Sequence, residues 1–259
     1  MINKALHSAA QYLAAASISF LPKKSDDSHA NFEWHQELQA FVTQPLGGRH
    51  NWRLGLVVQD FALIFCSTNG IELHRVALAG HTHDAVVHWI NNWMTDEKVN
   101  GNYRFTFHYD LPSHGVDPFE PFPDPNYTEL MSLGKMRSDV HHALARMALK
   151  ENTLAQVRTW PHHFDTALLL EKGTDVKGRM TNSIGMGLAI PDSVMGSHYA
   201  YVNAWDKNGE VPIEKLPPLK HGQWHTDGFR GAVMNAETCG AQELEDFFTH
   251  AHKALMSLS

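Results

Sequence analysis

The chain is nearly without cysteine: only Cys66 and Cys239 occur in 259 residues. They stand far apart and outside any Cys-x-x-Cys spacing, which excludes a disulfide framework and a thiolate zinc or redox motif. Such usage suits a reducing compartment, so a cytoplasmic setting is expected. No apolar run approaches the roughly 18–20 residues of a membrane-spanning helix, so no membrane partner is expected. Lysine and arginine never cluster and the formal net charge is −7. Binding a phosphate backbone needs a basic stripe, so nucleic acid is not an expected partner either.

Several catalytic signatures are also missing. There is no Gly-x-Ser-x-Gly elbow and no phosphate loop. Ile184-Gly185-Met186-Gly187-Leu188 lacks the third glycine of a dinucleotide site and reads as a strand where other groups approach the backbone closely. Gly80-His81-Thr82-His83-Asp84 has the wrong spacing for a His-x-His-x-Asp-His metal motif and reads as a helix start.

What the chain does have is periodicity. Lys4 and the alanine-rich stretch after it loosely imitate a signal peptide. Leu6, Leu13 and Phe20 nevertheless recur at helical spacing with Gln11 and Ser17 between, which predicts an amphipathic first helix. Trp34, Leu38, Phe41 and Val42 predict a second helix over 32–43. Thr82 caps a third that presents Val86, Val87, Ile90, Trp93 and Met94. Asn126 and Glu129 form a capping-box pattern ahead of the stripe Leu130, Leu133, Val140, Leu144 and Met147. Leu244, Phe247, Phe248, Ala251 and Leu255 mark a C-terminal helix.

Alternating segments predict strands at 53–58, 61–65, 71–78 and 103–109, and again at 156–170, 184–190, 199–205 and 224–234. Five prolines make 110–125 a loop or linker, and 206–222 is an excursion between strands. The expected class is α+β, a mainly antiparallel sheet flanked by helices. The chain reads as one large domain over 1–259, built of two strand-then-helix halves, 1–109 and 126–259, joined by the proline-rich segment.

The chain also has 19 histidines, and histidine is the commonest metal ligand. On an extended strand residues i and i+2 share a face, which would pair His163 with Asp165 and His225 with Asp227. These four are the candidate catalytic residues. His198 heads the strand between them. With His162, His163 and His225 it makes the candidate ligand set for a divalent metal, since a catalytic ion needs about three protein ligands and an open position. Trp160, Tyr199, Tyr201, Trp224 and Arg230 are the candidate substrate contacts, as aromatic walls with few polar groups suit a small molecule.

The segments Trp160-Pro161-His162-His163-Phe164-Asp165, Tyr199-Ala200-Tyr201-Val202 and Trp224-His225-Thr226-Asp227-Gly228-Phe229-Arg230-Gly231-Ala232-Val233 resemble a bacterial family of domains of unknown function, as does Asp26-Asp27-Ser28-His29-Ala30-Asn31 near the start. The resemblance implies no activity and singles out the same two His–Asp segments. Two function classes follow from the residues. One is an enzyme that uses the His/Asp cluster, with a divalent metal or without one as a His–Asp acid/base pair, for hydrolase or lyase chemistry on a small polar substrate. The other is a non-catalytic binding protein with an aromatic-lined pocket.

Overall fold

The computed structural model describes residues 2–47, 51–112 and 114–258. Among these described residues there are two antiparallel sheets and four long helices, the α+β class expected. The chain forms two compact units, one of residues 1–135 with 159–164 and the other of 136–158 with 165–259. The proline-rich segment 110–125 therefore lies wholly within the first unit.

The first unit opens with α1 (Ile2–Phe20). It is not amphipathic as its spacing predicts: Ala5 to Ser17 are buried all round, including Gln11 and Ser17 at 0% exposure. The alanines at 9, 10, 14, 15 and 16 are small enough for neighbours to close in on every side; buried Gln11 finds hydrogen-bond partners, whereas the buried Ser17 hydroxyl has none among the described residues. A five-stranded meander follows: β1 (Glu33–His35), β2 (Ala40–Val42), β3 (Arg53–Val57), β4 (Ala62–Cys66) and β5 (Glu72–Ala77), in spatial order of sequence.

Where a helix is expected over 32–43 there is a hairpin. Trp34 faces Phe41 across it, their rings 5.0 Å apart and edge-on. The i, i+4, i+7 spacing imitates a helical stripe, but β2 also pairs with β3, and sheet pairing overrides local preference. Gln39, at φ 47°, reverses the chain between the two strands. α2 (His83–Asp96) begins as expected, Thr82 Oγ1 accepting the Ala85 N–H.

Residues 103–109 alternate as expected, Tyr103, Phe105, Phe107 and Tyr109 turning inward while Arg104, Thr106 and His108 turn out. They join no sheet. Arg104 is pinned to α1 instead, its N–H donating to Ser19 Oγ (3.0 Å) while the Ser19 hydroxyl donates to its carbonyl (3.2 Å).

α3 (Tyr127–Lys150) starts in the first unit and ends in the second. Asn126 Oδ1 accepts the N–H groups of Thr128 and Glu129, which satisfies two donors of its first turn. The second unit holds β7 (Asp165–Thr174), β8 (Met180–Ala189), β9 (Tyr199–Asp206), β10 (Gln223–His225) and β11 (Gly231–Asn235), in the order β10-β11-β9-β8-β7. α4 (Ala241–Met256) packs on β8 and β9.

The single strand expected over 156–170 is broken. β6 (Arg158–Trp160) ends in a turn over 161–164, closed by Phe164 N–H to the Trp160 carbonyl (2.7 Å), with Phe164 at φ 55°. The strand expected over 224–234 is likewise split by a loop at 226–230. Among the described residues no helix is long and apolar enough to cross a membrane.

Candidate metal centre

The expected pairs do not form as strand neighbours. His163 is exposed in the 161–164 turn and belongs to the first unit, whereas Asp165 opens β7 in the second. His225 ends β10, where its Nδ1–H donates to the Phe229 carbonyl (2.9 Å), and Asp227 is exposed in the loop beyond. The i, i+2 rule fails at both places because the chain turns between the two residues. His198 is buried, its Nδ1–H and its backbone N–H both donating to Glu237 Oε1 (2.8 and 3.0 Å). Burial holds its imidazole below the ordinary histidine value. Among the described residues no convergent ligand group includes His162, His163, His198 or His225.

The candidate substrate contacts are scattered too. Trp160 precedes the turn in the first unit. Trp224 Nε1–H donates to the Pro217 carbonyl (2.9 Å), and Arg230 is held by Glu214 (2.6 Å) and Glu210 (3.6 Å). Tyr199 donates to Asp192 Oδ2 (2.8 Å). Trp160 and His162 place their rings 6.3 Å apart, and Tyr199 and Tyr201 6.5 Å. The Tyr201 hydroxyl also donates to Asp165 Oδ2 (2.7 Å), and burial beside that carboxylate pushes its pKa well up. The ring reaches Asp165 by crossing β8 at Gly187, where a Cβ would lie 2.8 Å from the tyrosine oxygen and 2.3 Å from the Thr166 carbonyl. Gly-x-Gly here is the close backbone approach that the sequence suggests.

One group of ligand-type residues does converge, and it lies elsewhere. Asp27, His29 and His108 bring one donor atom each to within 4.8 Å of one another. α1 ends at Phe20, and Asp27 sits at φ 56°, a left-handed conformation that aspartate tolerates better than most residues. A short 3-10 turn, Ser28–Ala30, follows and places His29 one residue beyond Ser28 with 2% exposure. Asp26 Oδ1 accepts the Ser28 N–H (3.1 Å) and Gln44 Nε2–H donates to the Ser28 carbonyl (2.7 Å), fixing the turn from two sides. His108 comes from the outward side of the 103–109 segment. Its Nε2 lies 3.0 Å from Asp27 Oδ1, and its ring lies 5.6 Å from that of His29, nearly parallel.

No family model, curated protein or solved structure matches this chain.

Two imidazoles and one carboxylate form a recurrent ligand face for zinc, iron and related ions, which leaves positions open for water or substrate. The Asp27–His108 separation matches that of adjacent ligands around one ion, whose bonds to nitrogen and oxygen run about 2.0–2.2 Å, and a His29 donor atom lies within 4.8 Å of both. His29 is held below the usual histidine value by burial first and then by His108, with Lys23 and Lys24 adding to the effect against the pull of Asp27. That direction favours the neutral form, the one a ligand requires. Its Nδ1 accepts the Lys24 N–H at 3.4 Å, a long and weak bond. Ligation through Nδ1 exchanges that bond for a metal bond. Ligation through Nε2 would turn an Nδ1–H against the Lys24 N–H, so ligation through either ring nitrogen requires the weak Lys24 bond to break.

Sequence reasoning passed over this triad even though Asp27-x-His29 has the same two-residue spacing as the favoured pairs. The i, i+2 rule that pairs side chains holds on strands, whereas this pair lies on a 3-10 turn. His108 is also far away in sequence, and its alternation announced only an aromatic strand.

Proposed function

We propose that the chain is a metal-dependent enzyme acting on a small polar substrate by hydrolytic or lyase chemistry, with Asp27, His29 and His108 as the ligands. The observation that carries this reading is the convergence of those three side chains from two segments far apart in sequence. A divalent ion bound there supplies Lewis acidity and a bound water of lowered pKa. Isolated cysteines and the absence of a basic stripe support a cytoplasmic setting and a small-molecule partner rather than nucleic acid or membrane.

Elemental analysis of untagged protein purified without chelators, beside Asp27→Asn, His29→Ala and His108→Ala, tests it. One equivalent of zinc, iron, manganese or cobalt, lost in each variant, supports the centre. Metal-free wild type that takes up no added ion sinks it.

The second reading, a non-catalytic binder, is favoured by an open cleft of about 310 Å³ in the second unit, lined by Trp205, Val211, Ile213 and Arg230. Its aromatic and aliphatic wall suits a small molecule, but Arg230 is already neutralised by Glu214 and Glu210.

A further inference from the structure

The His29 ring is buried and lies nearly parallel to that of His108. It has little room to swing, so the position of its backbone decides where its donor atom sits. That backbone is irregular. The turn Ser28–Ala30 is closed by one main-chain bond, Ala30 N–H to the Asp27 carbonyl (3.0 Å), and is entered through Asp27 at φ 56°. Three residues of 3-10 conformation have no ladder of their own to hold them.

Gln44 reaches the turn from outside. It lies two residues beyond β2, and its Nε2 donates to the Ser28 carbonyl (2.7 Å) on one side of His29 and to Asn31 Oδ1 (3.3 Å) on the other. One amide therefore spans the residue that bears the imidazole and ties it to the first sheet. Asp26, which accepts the Ser28 N–H, belongs to the same loop and moves with it. Past the turn, Phe32 exchanges both backbone hydrogen bonds with Thr159 (2.9 and 3.0 Å), which fixes the exit.

His108 is held separately. Arg104 is pinned to Ser19, and the Tyr109 hydroxyl donates to Gln11 Oε1 (2.8 Å), whose Nε2 donates to the Pro161 carbonyl (2.9 Å). The buried Gln11 thereby ties α1, the 103–109 segment and the turn at Pro161 together, all within the first unit. Neither of these holds touches residues 28–31.

We propose that Gln44 is a positioning residue of the metal centre: without touching the ion, it holds the turn so that the His29 imidazole meets Asp27 and His108 around one ion. The proposal rests on the metal reading above and adds what preorganises its ligands. A ligand must be held within roughly 0.5 Å and 10–20° of its working geometry. Losing a group that orients a ligand typically weakens metal binding roughly 10–100-fold.

The test titrates cobalt(II) into the full chain stripped of metal and into two variants. Gln44→Met keeps the side-chain volume and removes both donations. Thr82→Ala removes the cap of α2 in the same unit and leaves the turn untouched. Cobalt affinity and the visible band, which reports coordination geometry, are read beside the urea midpoint of each metal-free protein. The expected result is a shifted band and an affinity about tenfold weaker in Gln44→Met, with Thr82→Ala within about twofold of wild type. Wild-type affinity and band in Gln44→Met overturn the role of Gln44 and leave the metal centre standing. Equal weakening in Gln44→Met and Thr82→Ala makes the effect one of global stability and overturns that role as well. If Gln44→Met does not fold, Gln44→Ala is read against the same thresholds. No cobalt band in wild type removes the metal centre itself, and the positioning role with it.

Discussion

Replacing Gln11 by methionine probes the network that organises the candidate site. The side chain is fully buried and makes three hydrogen bonds: its Nε2 donates to the carbonyls of His7 (3.0 Å) and Pro161 (2.9 Å), and its Oε1 accepts from Tyr109 (2.8 Å). Methionine fills a similar volume, so the cavity contribution is small. Pro161 keeps its bond from His7. The Tyr109 hydroxyl, half-buried and with its pKa pushed up by burial, loses this acceptor. Each net hydrogen bond is worth about 0.5–1.5 kcal/mol and an orphaned polar group costs about 1–3 kcal/mol, while removing a buried amide returns part of that. The expected loss is about 2–3 kcal/mol. Urea unfolding followed by tryptophan fluorescence reads the right unit, because Trp34, Trp52, Trp89, Trp93 and Trp160 all lie in the first. Tyr109→Phe in the same series closes a double-mutant cycle, with an expected coupling of about 1 kcal/mol. A Gln11→Met loss under about 0.5 kcal/mol, or no coupling to Tyr109, would refute the claim that this glutamine ties the three segments together.

Gly187→Ala should cost about 3 kcal/mol, because its Cβ meets the Thr166 carbonyl at 2.3 Å and backbone cannot yield as a side-chain tip does; a thermal midpoint equal to wild type would count against the Tyr201 crossing. Acid should destabilise the fold. Burial holds His83, His114, His198 and His252 below the ordinary histidine value near 6.5. The unfolded chain then binds protons that the folded one refuses, so the stability present above about pH 6.5 is lost as pH falls through the lowered folded values. Urea midpoints at pH 7.5 and 5.5 check the sign, and a midpoint that rises on acidification contradicts it. Cys66, fully buried with its thiol pushed up to about 11 by burial, should resist a thiol reagent until the protein unfolds. Rapid labelling of Cys66 in the native protein would show that β4 is not packed as described.

Much of the secondary structure was legible because it depends on near neighbours. The Asn126 cap, the Thr82 cap and the stripe from Leu244 to Leu255 each act within a few residues, and all three helices form where these signals place them. Errors came where distant pairing decides. Trp34 and Phe41 have helical spacing yet face each other across a hairpin that β3 stabilises from outside. Gln11 and Ser17 look like the wet side of α1 but are buried, Gln11 because Pro161 and Tyr109 supply its partners. The favoured His–Asp pairs failed for a related reason: Phe164 at φ 55° and the 226–230 loop reverse a chain that alternation alone would run straight.

By itself the sequence determined the α+β class, the helix starts and the wealth of histidine, since composition, period and caps are local properties. Only the tertiary structure decided which histidines meet. Asp27 and His29 face His108 because a left-handed residue, a 3-10 turn and a segment pinned to α1 bring them together, and no spacing in the sequence records that closure.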